Sequence, residues 1–162
     1  MIVNMLVSLD NLSPDSDAEK TLVAAAQISL VNKQGAGAAE RAWIKSAFGG
    51  KWPEEAAAGW NWFAVDAKGR PVGFATYEQR DIRWWWLEHW RDQPDVGFFG
   101  PTGVSWRMRR KGLGCVLTRR ALASLKSLGY RRAIIPAVGP VRFYERCCGA
   151  AVVERLKMKS RA

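Results

Sequence analysis

The sequence predicts an α/β domain built on a mixed sheet, and three observations carry that prediction. Apolar strand-like runs alternate with helical ones in the last third of the chain. A hairpin pattern occupies residues 60–77, and no internal repeat or low-complexity tract interrupts the chain. At 162 residues the chain fits one domain, 1–162, long enough to bury a core without staples.

Ile2 to Leu9 reads as a first strand. Ser16-Asp17-Ala18-Glu19 has capping-box spacing, and Leu22, Val23, Ala26 and Leu30 recur at helical intervals, which predicts a helix from about Asp17 to Val31. A second helix follows Gly35 to Gly37, with Trp43, Ile44, Ala47 and Phe48 on one face and Gly49-Gly50 as its stop. Trp60 to Val65 and Val72 to Tyr77 are the two strands of the hairpin, joined by the turn Asp66-Ala67-Lys68-Gly69. Val96 to Val104 is a further strand, bulged or kinked at Gly100-Pro101. Leu113, Leu117, Ala121, Leu125 and Leu128 mark the apolar face of a helix ended by Gly129. Ala133 to Val138 is a strand, Pro140 opens a short helix through Cys147, and Ala151 to Leu156 is a final strand.

The charge is unevenly spread. Residues 1–102 carry 10 Lys/Arg against 13 Asp/Glu, and residues 103–162 carry 15 against 2. Such a basic third suits a polyanion, either a phosphorylated cofactor or nucleic acid, although the acidic remainder disfavours a pure nucleic-acid binder. Simple solvation is expected for Arg119, Arg120, Arg131 and Arg132. Cys115, Cys147 and Cys148 are odd in number and lack metal-ligand spacing, and His89 is alone, so we expect no metal site and a reducing compartment. The apolar residues 1–9 are too short for a membrane span or secretion signal, which points to a soluble, cytoplasmic protein.

The densest signal is Arg109-Arg110-Lys111-Gly112-Leu113-Gly114, placed between a strand and a helix. Helix-opening amides without internal partners, glycines that let a ligand approach and the helix dipole together favour a phosphate there. A P-loop is excluded because Lys111 precedes Gly112 and no hydroxyl residue follows; a dinucleotide fingerprint is excluded because Leu117 stands where a third glycine would be needed.

The spacing Arg109-x-x-Gly112-x-Gly114 resembles the acyl-CoA signature of the GNAT superfamily of CoA-dependent N-acetyltransferases. Two further stretches resemble it in order: Phe99-Gly100-Pro101-Thr102-Gly103-Val104, and Gly139 to Arg146 with its Phe143-Tyr144 pair. The resemblance implies a mostly antiparallel sheet with splayed central strands and helices on both faces. It implies that acetyl-CoA, or another short acyl-CoA, is held by Val104, Trp106, Arg109, Arg110, Lys111, Gly112, Leu113, Gly114, Cys115 and Phe143. Pro136, awkward inside a central strand, fits a fifth strand that splays from the fourth to admit the cofactor. Tyr144 matches the tyrosine that protonates the departing thiolate.

No carboxylate lies in Val96 to Val104 to serve as a base, and Glu78, Asp81, Glu88, His89 and Asp95 only flank the acceptor side. Glu78, Trp84 and Trp86 are candidate acceptor contacts. The run Arg83-Trp84-Trp85-Trp86-Leu87-Glu88-His89-Trp90 equally suits core packing or a dimer interface. The tail after Leu156 is too polar for the usual seventh strand, leaving a short edge that a second subunit could cover. The expected activity is acetyl transfer to a primary amine of a small molecule or peptide by direct attack in a ternary complex. A non-catalytic acyl-CoA-binding or sensory domain and a nucleic-acid-associated protein are the alternatives.

Overall fold

Seven strands form one sheet in the order β2-β3-β4-β5-β6-β1-β7, in a computed structural model that describes residues 1–12, 16–80 and 84–158. The strands are β1 (Ile2–Ser8), β2 (Ser29–Gln34), β3 (Trp60–Val65), β4 (Pro71–Tyr77), β5 (Val96–Val104), β6 (Arg132–Ile135) and β7 (Ala151–Leu156). The helices are α1 (Ser16–Ala26), α2 (Ala38–Ala47), α3 (Trp52–Ala58), α4 (Glu88–Arg91), α5 (Leu113–Ser127) and α6 (Val141–Cys148). Every strand pair is antiparallel except β5 with β6. Asp81 and Arg83 lie outside the described residues.

Strand alternation sorts the layers. On one face Ala75, Tyr77 and Phe99 meet Leu113, Leu117, Ala121 and Leu125 of α5, the predicted apolar stripe. Leu128, at its far end, is exposed. On the other face Phe63 and Phe74 meet Ile44 and Ala56 of α2 and α3, ringed by Trp43, Phe48 and Trp52. Helices thus cover both faces.

The hairpin turn is fastened by Asp66, whose carboxylate accepts the backbone N–H groups of Lys68 and Arg70 at 3.0 and 2.9 Å; these bonds favour its charged form and hold its pKa below the usual range. β5 is bulged as expected: Ala75 pairs Thr102 while Tyr77 pairs Phe99, so Thr76 faces both Gly100 and Pro101.

Four expectations need correction. The helix predicted to reach Val31 ends at Ala26, because Gln27 turns left-handed (φ +53°) and Ser29–Gln34 pairs with β3 instead, which puts Leu30 in a strand. The helix α3, opened by Pro53, was not expected. β6 stops at Ile135, so Pro136 lies just beyond the strand. No strand is missing from the edge: β1 runs between β6 and β7 and pairs with both, bringing the sheet to seven.

Glycine decides how closely α2 and the sheet approach. A Cβ on Gly103 would stand 2.5 Å from Phe48 Cζ and 2.8 Å from its Cε1. Phe48 is locked by Trp43, Trp52 and Phe74, so it has little room to yield. We expect Gly103→Ala to lower stability by about 1–3 kcal/mol, read by chemical denaturation, with overpacking as the cause.

Candidate functional site

β5 and β6 begin as neighbours and then part. Val96, Gly97 and Phe98 pair with Arg132, Ala133 and Ile134, and Arg132 Nε and Nη2 hold both oxygens of Asp95 at 2.9 and 3.1 Å across the start of the two strands. That ion pair keeps the Asp95 carboxyl below its usual range. Beyond Ile135 the chain turns to the other neighbour: Ala137, in a left-handed conformation (φ +49°), donates its N–H to Asn4 Oδ1, and Val138 donates to Val3 O at 2.7 Å. β5 continues to Val104 paired with β4. Among the described residues it has no strand partner on its β6 side beyond Phe98, and a cleft opens there.

The basic loop lies at the open end of this cleft. A 3₁₀ turn over Trp106–Met108 follows β5, and Arg109 returns its Nε to Val104 O at 3.3 Å with its guanidinium 5.5 Å from the Trp106 ring. Trp106 is 80% exposed. Arg110 and Gly112 are both left-handed, at φ +62° and +88°, and this double turn aims the start of α5 at the cleft. The first helical bond is Val116 N–H to Gly112 O, so the amides of Leu113, Gly114 and Cys115 precede the internal ladder. Leu113 itself is a core residue, and only its backbone belongs to the loop.

Gly114 brings α5 onto the second predicted piece, since a Cβ there would meet Phe143 Cζ at 3.4 Å and Val104 Cγ2 at 3.6 Å. Next to Phe143, the ring of Tyr144 packs edge-on to Phe99 of β5, 6.0 Å between centroids. Burial pushes the Tyr144 phenol up to about 12, while the Thr102 hydroxyl beside it pulls weakly the other way. The structure thus joins Val104, Gly114, Phe143 and Tyr144 at one end of the cleft.

Not every predicted residue joins them. Glu78 ends β4 in a left-handed conformation (φ +61°), donates its N–H to Phe98 O at the closed end of the cleft, and accepts the Tyr130 hydroxyl at 2.6 Å. Trp84 and Trp86 stack on each other and, half-buried, pack against the cluster of Leu87, Trp90, Val96, Phe98 and Ile134; Trp85 is exposed. His89 sits against Glu154 of β7, Nε2 to Oε1 3.3 Å, beside Trp90, which donates to the same oxygen.

The arginines expected to be merely solvated all have protein partners. Arg120 pairs with Glu19 of α1 and lies 5.0 Å over the Trp62 ring; Arg131 pairs with Asp10, Arg132 with Asp95, and Arg119 donates to Cys147 O at 3.0 Å. The Arg120–Glu19 pair ties α1 to α5, and beside the loop lies a cavity of about 1110 Å³, walled by α1, by Lys111, Gly112, Cys115 and Arg119, and by Arg146 of α6. Leu22 of α1 comes within 3.3 Å of where a Cβ on Gly112 would be. The amphipathic pattern of residues 17–26 was visible in the sequence, but nothing in it pointed to this wall.

Cys115 and Cys147 form a disulfide between the first turn of α5 and α6, which removes the cysteine argument for a reducing compartment. Cys148 is free, and burial raises its thiol pKa. Closing a loop with a separation of 32 residues limits the unfolded chain by about 3–4 kcal/mol. A dithiol reductant should therefore lower the melting temperature by several degrees, with Cys147→Ala unresponsive to it.

A model of the acetyltransferase (GNAT) family matches residues 38–150. Similar solved structures include the GCN5-related glucosamine N-acetyltransferase region of a fungal multi-domain β-N-acetylglucosaminidase (TM-score 0.69, 17% identity, 94% of this chain, 20% of that one). A GCN5-related N-acetyltransferase from Sphaerobacter thermophilus gives 0.57, 18%, 94% and 48%, and a tandem GNAT protein of clavulanic acid biosynthesis gives 0.62, 14%, 93% and 50%. The chain spans half or less of the length of these proteins, and their likeness bears on the fold alone. No curated protein matches the sequence significantly. The cleft, the loop and the family match agree, and the chain belongs to the GNAT acetyltransferase family.

Proposed function

We propose that the protein transfers the acetyl group of acetyl-CoA, or of another short acyl-CoA, to a primary amine by direct attack in a ternary complex. The observation that carries this reading is the unpartnered edge of β5, which runs from the cleft to the helix-opening amides of α5 with Tyr144 against it.

The residues present fit such a cofactor. The free edge of β5 near Val104 offers backbone groups to an amide-bearing arm, as an added strand would. The amides of Leu113 to Cys115, with Arg109, Arg110 and Lys111, suit a pyrophosphate, and the basic cavity under α1 has room for the remaining phosphorylated part. Trp106 is exposed at its rim. When bound, the cofactor supplies an activated acetyl thioester.

The side chains then have separate tasks. An N–H near Val104 hydrogen-bonds the acetyl oxygen and stabilises charge developing on it. Phe143 and Phe99 keep the reacting end dry. Tyr144 gives its proton to the leaving sulfur; its pKa of about 12 keeps that proton in place across the working range, at some cost in donor strength. The acceptor enters from the opposite face of the sheet and is a small-molecule or peptide amine. We infer a cytoplasmic site of action from the cofactor rather than from the cysteines; among the described residues no helix is long and apolar enough to cross a membrane. Among the described residues β7 pairs with β1 alone, and its outer edge is the place where a second copy would add.

Two measurements test this. Calorimetry with acetyl-CoA should show micromolar binding that weakens at least about tenfold in Gly114→Glu, a loss of about 1.4 kcal/mol or more, and survives in Gly114→Ala, whose Cβ has room. Absence of binding by the folded native protein overturns the reading. In an amine screen Tyr144→Phe should lower kcat about 10²-fold with cofactor affinity unchanged.

A further inference from the structure

Transfer to an amine leaves one proton to be removed from nitrogen, and β5 offers no carboxylate to take it. Tyr144 and the loop occupy the α5 face of the cleft. The opposite face is covered at β5 by α3. The orientation of α3 follows from its neighbours. Trp52 and Ala56 point down into the aromatic cluster, and Pro53, Glu54 and Ala57 line a shallow groove against α2. At 100° per residue this leaves Glu55 on the flank of α3 away from α2, and α3 also packs on β5.

Its height along the sheet is fixed at both ends of the helix. Trp52 lies 6.0 Å from Phe74, and Gly59, just past the C-terminus, packs on Thr76 and Gln79. Glu55 therefore stands level with the bulge at Gly100-Pro101, just past the last β5–β6 pair, Phe98 with Ile134. Among the described residues, the polar groups known on that face near the bulge, Thr76, Asn61 and Gln79, are neutral. The Thr76 hydroxyl donates to Asn61 Oδ1 at 2.7 Å, and Gln79 is buried with its Oε1 lacking a partner. The charged groups of the two helices close to it, Glu54, Lys51, Lys45 and Arg41, lie on the α2 side or on the outer surface. Glu55 is half-buried, and burial, reinforced by the charge of Glu54, pushes its pKa from 4.5 up to about 7.

We propose that Glu55 accepts the proton of the acceptor amine, from the face of the sheet opposite Tyr144. The inference rests on the acetyl-transfer reading above. The nitrogen forms its bond to the acetyl carbon as the carbon–sulfur bond breaks; the sulfur takes the Tyr144 proton, and the nitrogen passes its proton to the Glu55 carboxylate. One proton returning from Glu55 to Tyr144 through solvent restores the enzyme. Base and acid stand on opposite sides of the cleft, so the nucleophile enters on one side and the leaving group departs on the other.

The test compares native protein, Glu55→Gln and Glu55→Asp, with acetyl-CoA and a panel of primary amines. We expect Glu55→Gln to bind acetyl-CoA within about twofold of native and to lose about 10²-fold in kcat/KM at pH 7. The limb of the native pH profile near pH 7 should vanish, and Glu55→Asp should recover part of the rate. A readout without turnover accompanies it. A carboxyl that holds its proton more tightly folded than unfolded stabilises the fold below pH 4.5 and loses that contribution as the pH rises through 7. Native melting temperature should accordingly fall relative to Glu55→Gln over that interval. Native-like kcat/KM with the limb intact in Glu55→Gln, or parallel melting curves, overturns this inference alone. Native protein that binds acetyl-CoA yet acetylates no amine overturns the acetyl-transfer reading and this inference with it.

Discussion

The site depends on where the backbone after β6 makes its hydrogen bonds. Ala137 and Val138 bond to Asn4 and Val3 of β1, and every residue given to β1 is one withheld from β5. A strand buried on both faces with one bare edge is costly, because its N–H and C=O groups have neither protein nor bulk water to satisfy them. A ligand with amides along its length relieves that cost. The closed end is secured by Arg132 and Asp95, so the opening has a fixed apex.

The same arrangement explains why so basic a chain does not present a uniformly basic surface. Arg120, Arg131 and Arg132 each face a carboxylate brought from a distant part of the sequence, and the acidic first two-thirds supplies all three. Lys20, Lys111, Arg119 and Arg146 instead line a concave space, with Arg109 and Arg110 in the adjoining loop. A cavity whose lining is mainly basic, with Glu19 already paired to Arg120, focuses the field on a small polyanion rather than on an extended one.

The hairpin, α5 and the loop were legible because local spacing determines them: a turn with an Asp cap, an apolar stripe every third or fourth residue, and glycines where φ turns positive. β2 was not. Leu30 satisfies a helical interval as well as a strand, and only pairing with Trp60–Val65, thirty residues on, decides between them. The place of β1 was hidden for the same reason, since strand order is a property of the folded sheet. Pro136 was read in the right context but one step too far inside the strand. The raised pKa of Glu55 arises first from burial on folding, which no local spacing announces, and only second from its sequence neighbour Glu54.

The Cys115–Cys147 bond has a mechanical meaning for the cavity. It makes α5, β6 and nearly all of α6 one covalent ring, with the helix-opening amides at one junction and the last turn of α6, one turn on from Phe143-Tyr144, at the other. Thermal motion cannot part those two walls at that point. The third wall, α1, is held by the Glu19–Arg120 ion pair and by side-chain packing such as that of Leu22, all of it non-covalent. Breathing of the cavity while the bond is intact is therefore the movement of a single hinged panel against a rigid frame, and α1 is that panel.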